Sequence, residues 1–140
     1  MLTPKKIKWR KPHKLVPKKK RPKIDRLTFG EYGLLVLENG HLTARQIEAA
    51  RRSIVGYMKR RGKVWIRVFP DWPITKRPAE VKMGGGKGDL DYYVALVKKG
   101  AIVFEVGGVA EAVALESLRR ASHKLPLKTK IIKKDVNVSN

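Results

Sequence analysis

The stretch Leu42–Phe69, LTARQIEAARRSIVGYMKRRGKVWIRVF, carries two periodicities in succession, and the change between them decides the fold class. Thr43 and Gln46 have capping-box spacing. Each side chain bonds the other residue's backbone N–H, so two donors left open at a helix start are satisfied. Ile47, Ala50, Ile54 and Met58 follow at helical spacing and predict one buried stripe. Gly62 stands where that helix is expected to stop. From Lys63 the period falls to two: Val64, Ile66 and Val68 face one side of a strand, and Lys63, Trp65, Arg67 and Phe69 the other.

Working outward, Phe29–Leu37 mixes aromatic and branched residues and ends at the turn signal Asn39-Gly40, which predicts a strand. Tyr92–Lys98 and Ala101–Val106 read as two strands joined in a hairpin by Lys98-Lys99-Gly100. A second helix is expected from Val109 to Lys124, with Ala110, Val113, Ala114, Leu118 and Ala121 as its core stripe and Pro126 as its limit. Leu127–Lys134 reads as a last strand, and 135–140 as a polar tail. The order predicts an α+β fold: a mixed, mostly antiparallel sheet with two helices packed on one side. The expected domain spans 29–134, preceded by an extended arm over 1–28.

The charge is unequal along the chain. The 140 residues include 33 Lys and Arg against 12 Asp and Glu, a formal net charge of +21. Residues 1–28 hold 12 of those cations, one acid (Asp25) and four of the eight prolines. Proline blocks a helix there, and like charges keep the segment open. Such an arm either stays solvated and disordered or orders against phosphates, and Trp9 and His13, whose rings can stack on bases, favour the second reading. The net +10 left for residues 29–140 makes the folded part basic as well. The chain has no cysteine, which excludes disulfides, thiolate metal sites and cysteine nucleophiles. No apolar run approaches the ~20 residues of a membrane span. The Lys- and Pro-rich start fits neither a secretory signal nor a transit peptide.

Within the core the cations gather twice. Arg45, Arg52 and Lys59 are seven apart, nearly two helical turns, and so share a face. Glu48 is the only acid among Arg45, Arg51, Arg52, Lys59, Arg60 and Arg61, so little internal pairing is expected. The second gathering is Pro70–Asp89, which has no periodicity and reads as a long loop. Its candidates are Lys76, Arg77, Lys82, Met83, Gly84, Gly85, Gly86, Lys87 and Gly88. Glycines there bring backbone N–H groups within reach of phosphate.

That loop is not a mononucleotide site. A phosphate loop ending at Gly86-Lys87 needs glycine at 81 and a hydroxyl at 88, where Val81 and Gly88 stand. A dinucleotide pattern from Gly84 needs glycine at 89, which is Asp89. No catalytic constellation appears either. His13, His41 and His123 lack ligand spacing, and no serine lies in a nucleophile elbow. Asp89 and Asp91 are expected to orient Lys87 or stay solvated, and His123 to cap its helix or stay at the surface.

Several ordered blocks resemble one family. They are Met1-Leu2-x-Pro4-Lys5 with Lys8-x-Arg10-Lys11, then LTARQIEAAR (Leu42–Arg51), GKVWIRVFPD (Gly62–Asp71), the MGGGKG region of Pro73–Gly88, and HKLPLKTK (His123–Lys130). They resemble bacterial-type ribosomal protein sixteen of the large subunit, a universal family, over nearly the whole chain. The resemblance implies a non-enzymatic protein that binds large-subunit ribosomal RNA near the central protuberance and peptidyl transferase region. It implies contact with aminoacyl-site transfer RNA, with peptidyl-site transfer RNA as a further candidate. It implies late entry into subunit assembly, neighbouring ribosomal proteins as partners, and residence in a cytoplasmic or organellar ribosome.

By the same resemblance the glycine-rich loop is the element next to transfer RNA. Ribosomal RNA contacts are then expected from Lys5, Lys6, Lys8, Trp9, Arg10, Lys11 and His13 on the arm. On the helix they are expected from Arg45, Arg51, Arg52, Lys59 and Arg60. This sequence departs from many relatives in its Lys/Pro-rich 14–24 segment, at Trp72 and Tyr93, and at Lys82, often arginine. Lysine lacks the planar guanidinium fork for a bidentate contact. No cofactor, metal, membrane contact or homo-oligomer is expected. The rival readings are a free nucleic-acid-binding or architectural protein, a nucleotide-dependent enzyme and a membrane-surface cationic protein.

Overall fold

The fold is described from a computed structural model, which covers residues 2–3, 26–76 and 89–134. Strand β1 (Tyr32–Val36) leads through Asn39 to a short strand β2 (Gly40–Thr43). Asn39 Oδ1 accepts from Lys99 N–H at 2.7 Å and ties this corner down. Thr43 ends β2 and caps helix α1 (Ala44–Tyr57). The capping box forms as its spacing requires: Gln46 N–H donates to Thr43 Oγ1 at 3.1 Å, and Thr43 N–H to Gln46 Oε1 at 2.9 Å. The stripe Ile47, Ala50, Ile54 and Met58 is buried throughout.

The helix does not run to Gly62. It ends at Met58 in a Schellman closure, with Lys59 N–H on Gly56 O at 3.3 Å and Arg60 N–H on Val55 O at 3.2 Å. Lys59 and Arg60 take the left-handed region, with φ of 52° and 63°. Gly62 has a different task. A Cβ there would lie 2.5 Å from Gly107 O, so the glycine lets the chain turn closely into β3 (Lys63–Ile66).

The predicted 70–89 loop contains a strand. β4 (Trp72–Lys76) pairs antiparallel with β5 (Asp89–Val97), closing at Lys76↔Asp89. Its prolines concealed it, yet Pro73 is tolerated because β4 is an edge strand and needs no inward N–H at that position. The rest of the predicted loop, 77–88, lies outside the described residues.

The predicted hairpin between β5 and β6 (Ile102–Gly107) does not form. Gly100 N–H donates to Val36 O and Ala101 N–H to Lys98 O, and this turn carries the chain from one sheet into the other. Both edges of each strand are already used: β5 lies between β2 and β4, and β6 between β3 and β1. Helix α2 (Glu111–Ser122) and strand β7 (Thr129–Lys133) complete the order. Ala110 is the exposed N-cap of α2 rather than a core residue, Val113 is half-buried, and Ser117 joins the buried face.

The α+β class holds, with the strands in two sheets, β3-β6-β1-β7 and β2-β5-β4, and every described pairing antiparallel. The helices pack on each other and against both sheets, around Leu34, Leu42, Ile47, Ile54, Phe104, Val106 and Leu118. Burying each such side chain contributes roughly 1.5–3 kcal/mol. Val64, Ile66 and Val68 pack toward this core, as their alternation requires.

Candidate nucleic-acid interface

With one face of α1 in the core, its other face is left to solvent. Arg45 and Arg52 lie on that outer face about 10 Å apart at 1.5 Å per residue, and Lys59 follows just beyond the helix end, exposed like them. The structure brings Arg51, Arg52, Lys59 and Arg60 together, with Val55 and Gly56, around a depression of about 660 Å³. Arg45 is separate. It borders a second depression of about 620 Å³ with Leu2, Thr3, Tyr92 and Tyr93. Leu2 also packs against the core, so the start of the chain is held beside the N-terminus of α1.

Internal pairing on this face is greater than expected. Glu48 binds Arg51 through two bonds of 3.0 and 2.5 Å and Arg52 through one of 3.2 Å. The Arg51 guanidinium hydrogen-bonding to Glu48 brings that carboxyl down to about 2, against the opposing effect of burial. One acid is thus shared by two arginines. Arg45, Lys59, Arg60 and Arg61 make no ion pair among the described residues. The same Glu-x-x-Arg-Arg spacing on α2 produces the same pairing of Glu116 with Arg119 and Arg120. There Arg120 also lies 4.4 Å from the Tyr57 ring and is drawn into the helix–helix contact.

A second site went unread in the sequence. Glu105 is fully buried on β6. Its Oε1 accepts from the backbone N–H groups of Thr28 (2.9 Å), Phe29 (2.8 Å) and Gly30 (3.0 Å), and its Oε2 from Arg67 Nη1. Burial alone would raise this carboxyl's pKa. The donors from Gly30, Phe29, Arg67 and Thr28 outweigh it and hold the group below the usual carboxylate range. Gly30 is required here, because a Cβ would lie 2.4 Å from Val106 O. Phe29 stacks on Trp65 with centroids 5.9 Å apart, and Arg67 covers its ring at 5.1 Å. The signal was one acid inside the apolar run IVFEVG of a basic protein, which calls for a buried partner. Glu105 therefore anchors residues 28–30, where the basic segment rejoins the domain.

The remaining candidates lie largely beyond this description. Lys5, Lys6, Lys8, Trp9, Arg10, Lys11 and His13 fall outside the described residues, as do Arg77, Lys82, Met83, Gly84, Gly85, Gly86, Lys87 and Gly88. Lys76 is described only as the last residue of β4. Asp89 and Asp91 are placed on β5 by their backbone. His123 is the C-cap of α2 and exposed, with Nε2 3.4 Å from Arg119 Nη1. Among the described residues no three His, Cys, Asp or Glu are grouped to hold a metal. No described helix is long and apolar enough to cross a membrane.

The family model described as ribosomal protein L16p/L10e matches residues 4–132. The chain belongs to that family. It is 58% identical over 133 residues to large ribosomal subunit protein uL16 of Sulfurihydrogenibium sp. (strain YO3AOP1), covering 95% of this chain and 96% of that protein. It is 55% identical over 134 residues to large ribosomal subunit protein uL16c of the alga Gracilaria tenuistipitata, covering 96% of this chain and 99% of that one. An L16p/L10e member of this kind is a structural, non-enzymatic ribosomal protein of the large subunit.

Proposed function

We propose that this chain binds large-subunit ribosomal RNA through the outer face of α1 and the basic arm, and approaches transfer RNA with the 77–88 loop. The observation that carries this reading is the grouping of Arg51, Arg52, Lys59 and Arg60 around one open depression, with Glu48 the single acid bound there. Arg45 adds a contact about 10 Å from Arg52 along the same helix. Such spacing suits a helical phosphate backbone crossing α1. The arm supplies Lys5, Lys6, Lys8, Arg10 and Lys11 as further phosphate partners, with Trp9 and His13 for stacking.

Strands β4 and β5 pair Lys76 with Asp89, the residues that flank 77–88. Arg77, Lys82 and Lys87 with Gly84, Gly85, Gly86 and Gly88 make it fit for a phosphate-bearing partner such as aminoacyl-site transfer RNA, and peptidyl-site transfer RNA beyond it. In this reading the protein joins the large subunit late, contacts neighbouring ribosomal proteins and supports translation without catalysis.

Ultraviolet cross-linking in cells, followed by mapping of the linked nucleotides, tests it. Links to large-subunit ribosomal RNA from α1 and the arm, and to transfer RNA from 77–88, are expected. Links confined to genomic DNA would replace this reading with a free nucleic-acid-binding protein.

A further inference from the structure

Two residues at the end of α1 are interchanged relative to what helix stability favours. Gly56 lies in the last turn, where an ordinary side chain is better tolerated than glycine because glycine loses most freedom on ordering. Its φ is not in the left-handed region, and a Cβ built on it meets nothing within 4 Å. The fold itself therefore supplies no reason for glycine. Three residues on, Lys59 occupies the left-handed position of the Schellman closure, where glycine is the easier residue. The chain thus carries a bare backbone where a side chain would fit and a cation where one is strained.

Both oddities border the same depression. Gly56 lines it with exposed backbone, and Arg51, Arg52, Lys59 and Arg60 line it with their side chains. We propose that Gly56 is a close-approach site, where the sugar–phosphate backbone of RNA rests directly on α1 while those cations hold the flanking phosphates. A methyl group there would lift the strand from the helix surface and lengthen every charged contact around it. The assignment rests on the RNA-binding reading above and adds a steric requirement to it. An acidic protein segment would satisfy the charges but needs no bare backbone.

The experiment uses the full chain and a large-subunit ribosomal RNA transcript, with affinity followed as salt rises. The variants are Gly56→Ala, Gly56→Gln and Lys59→Gly. Gly56→Ala should raise the thermal midpoint by about 3–5 °C while weakening RNA binding about fivefold. Gly56→Gln should weaken binding further, to about twentyfold. For both, the slope of log affinity against log salt should become shallower by less than one, since the contacts lengthen but no cation is removed. Lys59→Gly should also raise the midpoint but make the slope shallower by about one.

Wild-type affinity in both Gly56 variants, with the shallower slope retained in Lys59→Gly, would sink the close-approach site and leave the RNA reading intact. A lowered midpoint in Gly56→Ala would give Gly56 a role inside the fold and overturn the proposal as well. A salt-independent wild-type affinity would remove the RNA reading, and this inference with it.

Discussion

Glu48 on α1 and Glu105 on β6 both bind arginine, yet one serves the surface and the other the fold. Glu105 is fully buried, with Arg67 only 16% exposed, and three backbone donors complete its shell. Glu48 is partly exposed at 22%, and Arg52 beside it is 77% exposed. In low dielectric a carboxylate without its donors is costly, so the Glu105 cluster holds one arrangement. At the surface the same chemistry is screened and weak, which leaves Arg52 available to exchange a carboxylate for a phosphate. The difference teaches that burial, rather than residue type, separates the cations that build this protein from those it presents.

Four predictions bear on that contrast. The largest effect is expected from Glu105→Gln, which leaves Arg67 without its anionic partner; unfolding in urea should show a loss of about 3 kcal/mol. A loss below ~0.5 kcal/mol would place Glu105 with the surface pairs.

The second concerns pH. The folded Glu105 carboxyl is depressed, so its contribution is fully present above the unfolded value of ~4.3 and is lost as pH falls through the lower folded value. Stability measured below about pH 4 should therefore fall more steeply in the wild type than in Glu105→Gln. Parallel acid limbs would contradict the geometry.

Third, Arg52→Ala with Lys59→Ala should leave stability within about 0.5 kcal/mol of the wild type. The salt slope of RNA binding should become shallower by about two. Unfolding of this double variant would erase the contrast. The smallest effect is expected from Glu48→Gln, which removes two helix pairs worth about 0.5 kcal/mol each at most. It also frees Arg51 and Arg52, so RNA binding should tighten modestly, and weaker binding would show that Glu48 positions the arginines.

Legibility in the sequence followed the range of the interactions. The capping box and the buried stripe of α1 were plain because they act over three or four residues. The end of α1 was misplaced at Gly62, since Lys59 and Arg60 take left-handed conformations that their side chains do not announce. β4 was hidden by Pro73, whose tolerance depends on an edge position set by distant partners. The β5–β6 hairpin was expected from a short turn, but the pairing was decided by β1, β2, β3 and β4. The α1 cations were visible as a charged face, whereas the division of Arg45 from the cluster at Arg52 and Lys59 was not.

The sequence by itself determined the class of fold, the helix faces and the family, because period, capping and ordered motifs are local and additive. Its charge of +21 also determined an affinity for polyanions, since net charge survives any folding. Only the tertiary structure decided which charges are spent. It placed Glu105 under the backbone of residues 28–30, 75 to 77 positions away in sequence, and so turned Arg67 inward. It also left Gly56 bare between Arg52 and Lys59. Burial and close approach arise from segments remote in the chain, and no periodicity records them.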